Sequence, residues 1–210
     1  MANKSDAEKQ KAKAKKWKSA AKELKNQLAT VLGAGKAICV SPLAPKQGFP
    51  ELPVIDGVEF SAAAAGVRYK GRLDVMLARL APGSVVTGTF TRSKTSSAAV
   101  RDCQAKLALR ADAETGAAIL VNAGNSNAFT GARGRASVEA LCDATAERLN
   151  LPASRVFTAS TGVIGEPLPH ERIIESLDAL TEGLKPEGIG EAARAIMTTD
   201  TFAKGAKSEI

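Results

Sequence analysis

Hydrophobic and polar residues alternate in short blocks along most of this chain, and the blocks predict both helices and strands. From Val58 to Val67 the pattern alternates and then turns small, as in a strand that lets another layer come close. The Asp56-Gly57 pair before it signals a turn. Leu73–Leu80 predicts a second strand, closed by Pro82-Gly83. Ser84–Thr91, dense in β-branched residues, predicts a third that folds back on the second as an antiparallel hairpin. Ser93–Val100 reads as the polar start of a helix. Ala117–Asn122 reads as a short apolar strand of the fully buried kind, followed by a polar stretch from Ala123 to Gly134 with two Asn and three Gly. That stretch suits a ligand-facing loop and an elaborate structural turn equally well. The next segment predicts a helix capped by Ser137, with Val138, Leu141, Cys142, Thr145 and Leu149 on one face and Pro152 as its stop. Val156 opens a buried strand that ends in a Ser160-Thr161-Gly162 turn. Glu171–Leu184 predicts one amphipathic helix, and Ala192, Ala193, Ile196 and Met197 a last helical run.

Residues 1–36 follow a different pattern. They hold ten lysines against Asp6, Glu8 and Glu23, while the other 174 residues carry 19 basic and 19 acidic groups. The net charge of +7 therefore belongs to this segment and not to the body. A thin apolar stripe through Trp17, Leu24, Leu28 and Val31 predicts a Lys-rich extension, helical or disordered, with the main domain over residues 37–210. The extension has no arginine and one aromatic residue, a poor supply for reading or stacking bases, so nucleic acid is not the expected partner.

The remaining composition excludes several chemistries. No apolar run reaches the roughly 18 residues of a membrane span, and no hydrophobic signal core follows the N-terminus, so a cytoplasmic protein is expected. Cys39, Cys103 and Cys142 are scattered without metal-ligand spacing, which argues against zinc and disulfides and for buried thiols. With His170 as the single histidine, and placed at a helix start, His-based catalysis and most metal chemistry are not expected. His170 reads as a surface or capping residue.

Hydroxyls and a glycine amide at a strand end can hold an oxyanion, and Ser160-Thr161-Gly162 offers both. Three segments carry a resemblance: Val121–Ala128, Ser160–Pro169 and Ala195–Thr201, in order and at matching spacing. Together they resemble the ornithine acetyltransferases, the glutamate N-acetyltransferases of arginine biosynthesis. Ala65-Gly66-Val67 and Gly88–Thr91 resemble early strands of that family, so the likeness covers about residues 41–204. The resemblance implies an α/β fold, a mixed sheet layered with helices in an αββα-like arrangement similar to the N-terminal-nucleophile hydrolases. It implies ping-pong transfer of acetyl from N-acetylornithine to glutamate and no cofactor, and leaves open whether acetyl-CoA is also a donor. It also implies a precursor that cuts itself before a nucleophilic threonine, giving an α2β2 heterotetramer. By position Thr161 and Gly162 match the oxyanion hole and Thr198 a substrate-binding threonine. The family runs on past the position of Lys204 to a Lys-Gly segment and an Ala-Thr cleavage site. The 210 residues alone are therefore expected to lack the nucleophile and to be inactive. Two rivals remain at this stage. One is a related self-cleaving aminopeptidase or amidohydrolase; the other is a noncatalytic fragment with an anion-binding arm.

Overall fold

A computed structural model describes residues 40–109 and 114–208; the Lys-rich extension and Cys39 lie outside the described residues. The unit that begins at Leu43 carries the elements below. Four strands form one sheet in chain order: β1 (Val58–Ala63), β2 (Val75–Leu80), β3 (Ala117–Asn125) and β4 (Val156–Val163). β1 and β2 pair antiparallel, as do β2 and β3, whereas β3 and β4 run parallel. The expected mixed α/β sheet is thus present. A parallel pair needs a long crossover. Here it is the helix α2 (Gly131–Leu149), the 19-residue segment between β3 and β4.

Alternation along the strands sorts the core onto two faces. Val75, Leu77, Ala118, Leu120 and Val156 face one way, into a cluster with Val138, Leu141 and Cys142 of α2. Leu168, Ile173, Leu177 and Leu180 complete that cluster. Ala117 and Phe157 face the other way and meet Cys103 of α1 (Ala98–Leu107), with Val86, Phe90, Leu107 and Ile119 packed around them. The second face is covered less fully: Phe60, Ala62, Met76 and Val121 on it are half-buried.

Several expectations are corrected. Ser84–Thr91 forms no strand, and no hairpin joins it to β2. Both edges of β2 are already taken by β1 and β3, so the segment instead lays Val86 and Phe90 against the second core cluster. β1 stops at Ala63 rather than Val67 because the fully buried Asp74 carboxylate draws the chain away. It accepts from Ala65 N–H and Val67 N–H, both at 2.7 Å. Ser137 does not begin a helix. α2 starts six residues earlier, and Ser137 Oγ donates back to Arg133 O at 3.0 Å. The Glu171–Leu184 helix is two short ones, α3 (His170–Glu175) and α4 (Leu177–Glu182). Between them Ser176 is a single turn residue with φ −90° and ψ −6°, its Oγ donating to Ile173 O at 2.7 Å. The last helix, α5, spans Ile189–Ala195; Ile196 caps it and is exposed, and Met197 lies beyond it.

α1 also covers the free edge of β4. Lys106 Nζ donates to Val156 O at 2.8 Å and Cys103 Sγ to Thr158 O at 3.4 Å. Cys103 and Cys142 are free and buried, as expected. Burial pushes the Cys142 thiol up to about 11, although Lys106 Nζ lies 3.0 Å from its sulfur. Burial alone would lower Lys106, but its bonds to Asp102 (2.7 Å) and Cys142 hold the ammonium charged and its pKa above the ordinary value. No described helix is long and apolar enough to cross a membrane.

Candidate active site

The parallel pairing of β3 with β4 sets Thr161 opposite Ala123 and Gly162 opposite Gly124. The strand does not stop at a Ser-Thr-Gly turn; it runs on to Val163, so both site residues lie within the sheet. Gly162 has φ +134° and Gly124 φ +95°, conformations that residues with a Cβ rarely adopt. A Cβ on Gly162 would lie 2.6 Å from Asn125 N and 2.7 Å from Gly124 O; one on Gly124 would lie 2.9 Å from Arg68 Cβ. The backbones of β3 and β4 therefore meet here without a side chain between them, Arg68 and Tyr69 close on Gly124, and the Gly162 main chain is exposed. Thr161 lies on the same strand face as Phe157 and Ala159, away from the Val156 side of the core. Among the described residues its hydroxyl has no hydrogen-bond partner, and the residue is half-buried. An apolar cavity of about 310 Å³ runs along this face from Leu107 past Phe157 and Ala159 to Ser160.

The loop expected over Ala123–Gly134 is much shorter, since β3 continues to Asn125 and α2 begins at Gly131. Its asparagines are buried braces. Ser160 Oγ donates to Asn122 Oδ1 at 2.7 Å, and Asn122 Nδ2 to Asn125 O at 2.8 Å. Asn125 Nδ2 reaches Glu166 O and Pro167 O at 3.1 and 3.2 Å, while its Oδ1 accepts from Asn127 N–H at 2.7 Å. Asn127 Nδ2 donates to Gly134 O at 3.0 Å. This network fixes the ends of β3 and β4 and the first turns of α2 as one part. Sequence reasoning missed these roles, although the three closely spaced asparagines beside glycines marked the place.

Thr198 is half-buried in the bend after α5, its N–H directed at Asp200 Oδ2 at 3.4 Å. Lys204 pairs with Asp200 and lowers its pKa. No described contact joins Thr198 directly to Thr161 or Gly162. A chain of neighbours leads there instead: Arg72 donates to Met197 O and stacks over Tyr69 at 5.1 Å, and Tyr69 and Arg68 back onto Gly124. Arg68 is held by Glu166 at 2.6 Å. Nothing in the sequence pattern had pointed to Arg68, Tyr69 or Arg72. His170 opens α3, with Nδ1 3.1 Å from Ser137 Oγ; it is half-buried and does no capping, Pro169 holding the N-cap position. Among the described residues no three His, Cys, Asp or Glu side chains gather as metal ligands. Another cavity, of about 770 Å³, lies at the opposite end of the sheet, where Gly116 and Pro152 lead into β3 and β4.

The arrangement of Thr161, Gly162 and the asparagine-braced strand ends falls inside a stretch with known relatives. The family model described as ArgJ matches residues 59–210, from β1 onward. The chain belongs to the ArgJ family. It is 60% identical over 171 residues to the arginine biosynthesis bifunctional protein ArgJ of Ruegeria pomeroyi, covering 81% of this chain and 41% of that protein. The ArgJ protein of Gluconobacter oxydans is 49% identical over 175 residues, covering 83% and 40%. The chain thus spans about two fifths of the length of these relatives. Among solved structures, it resembles the ornithine acetyltransferase of Mycobacterium tuberculosis, crystallised with ornithine. That match has a TM-score of 0.63 and 33% identity, and covers 69% of this chain and 77% of that one. The ArgJ protein of Bacillus halodurans aligns with a TM-score of 0.61 and 29% identity, over 70% and 74%.

Proposed function

We propose that the protein built on this chain moves acetyl from N-acetylornithine to glutamate, and that Thr161 and Gly162 form its oxyanion hole. One observation carries the reading. At an exposed strand end, a hydroxyl with no partner among the described residues stands beside a glycine amide whose backbone the neighbouring strand holds in place. Two such donors, fixed before the reaction, suit the negative oxygen of a tetrahedral acyl intermediate, and each is worth about 3–4 kcal/mol of barrier. The attacking group in this scheme is a threonine freed by self-cleavage, whose own amine serves as base. It belongs to the part of the family's length that this chain does not span. Thr198 is assigned to substrate binding, linked to the strand ends through Arg72 and Tyr69.

The half-buried apolar residues on the second sheet face, Phe60, Ala62, Met76 and Val121, support an αββα layering in which a further sheet covers them. On this reading residues 37–210 make up most of an α chain, preceded by the Lys-rich extension and joined by a β chain in a cytoplasmic α2β2 enzyme. It needs no cofactor, and acetyl-CoA is a second acetyl donor. The deciding experiment is Thr161→Ala in the intact enzyme, assayed with N-acetylornithine and glutamate. Turnover falls on the order of 10²-fold or more if the hydroxyl stabilises the oxyanion. Wild-type turnover in a folded T161A protein refutes the assignment.

A further inference from the structure

A second concavity, about 330 Å³, opens between the start of α1 and the loop leading from β3 into α2. Lys94, Arg101 and Arg135 line it, and no carboxylate does. Elsewhere in this fold Arg68, Arg79, Lys106, Arg148, Lys185 and Lys204 each pair with an Asp or Glu, whereas Arg72, Arg155 and Arg172 donate to main-chain carbonyls. Among the described residues the three cavity cations have no carboxylate partner. Arg101 donates instead to Ser96 Oγ at 3.2 Å and Lys94 O at 3.0 Å, which ties the loop to α1. Three cations thus line one hollow with no carboxylate among them. A cleft lined with one sign of charge focuses the field and concentrates counter-ions. Guanidinium groups match phosphate oxygens in particular, through paired N–H donors. At the rim stands Phe129, 69% exposed and held at φ +58°, an aromatic face turned out of the core.

We propose that this cavity binds a phosphate group, with Phe129 stacking on the base when the phosphate is carried by a nucleotide. The inference stands apart from the acyl-transfer reading, since it uses none of Thr161, Gly162 or Thr198. Isothermal titration of the intact protein with inorganic phosphate, AMP and L-glutamate tests it. Phosphate and AMP bind at one site per chain, and added salt weakens both by screening. K94Q and R135Q each weaken both about tenfold, the loss of one charged hydrogen bond. Neither the Lys94 nor the Arg135 side chain has a hydrogen bond or ion pair among the described residues, and the Lys94 carbonyl that accepts from Arg101 is untouched by substitution, so the variants keep the wild-type melting temperature. F129A weakens AMP and leaves phosphate unchanged if the source is a nucleotide; equal AMP binding by F129A assigns the site to free phosphate. Absence of binding at millimolar ligand overturns the proposal. So does phosphate binding that K94Q and R135Q leave intact, or glutamate that binds tighter than phosphate and is lost in the same variants.

Discussion

Replacing Gly162 by alanine tests the backbone stack under the site directly. Two costs add. A residue with a Cβ at positive φ loses about 1–2 kcal/mol relative to its relaxed conformation. The new methyl would also lie within 2.6–2.7 Å of Asn125 N and Gly124 O, atoms that cannot move without shifting β3 against β4. Such overpacking adds about 1–3 kcal/mol. The sum, about 2–5 kcal/mol, lowers the melting temperature of a unit this size by about 5–20 °C. Gly165→Ala is the matched control, because Gly165 also has positive φ (+83°) but meets nothing within 4 Å. It isolates the conformational cost, so G165A loses only about 1–2 kcal/mol. Scanning calorimetry on both proteins separates the two contributions. If G162A melts at or above G165A, the close approach of the strands is not what requires glycine, and the reasoning fails.

Two further predictions concern the scaffold. The Cys142 thiol ionises near 9.0 when free and at about 11 when buried, so its contribution is complete below pH 9 and lost as pH rises toward 11. Lys106, also raised, loses its contribution in the same direction. Urea unfolding should show about 2–3 kcal/mol of alkaline loss from Cys142, and C142A should flatten the decline from pH 9 upward; an identical slope in C142A refutes it. Asp74→Asn puts an amide NH₂ where the carboxylate now accepts from Ala65 or Val67 N–H, leaving a buried donor unpaired. Equilibrium unfolding should register about 2–4 kcal/mol, and a change below about 0.5 kcal/mol would show that these bonds do not shape the bend after β1.

What the sequence revealed followed from strong local patterns. β3 was legible because Ala117–Val121 is uninterrupted and apolar, and the α2 stripe from Val138 to Thr145 repeats at helical spacing. Thr161, Gly162 and Thr198 were singled out through a family resemblance, since spacing alone does not distinguish Thr161 from any hydroxyl on a strand. The failures share a cause: they depended on partners far along the chain. Ser84–Thr91 has good strand propensity but no free edge on β2 to pair with. Ser176 breaks a helix that hydrophobic spacing alone would continue. The asparagine braces depend on contacts up to 42 residues away, as between Asn125 and Pro167, which no local window contains.

The hydroxyls along the end of β4 differ in where their protons go. Thr158 is sealed in the core, and its Oγ has no partner among the described residues. Ser160 gives its proton to Asn122 Oδ1, a carbonyl oxygen fixed by the rest of the asparagine network. Thr161 alone keeps a proton that faces the open side of the sheet. The adjacent serine is therefore no reserve: it cannot turn to an incoming oxygen without leaving Asn122 Oδ1 unpaired in a buried site. If Thr161 is the oxyanion donor proposed above, restoring one to T161A takes a small external molecule such as an alcohol or water, rather than a neighbour on the same strand.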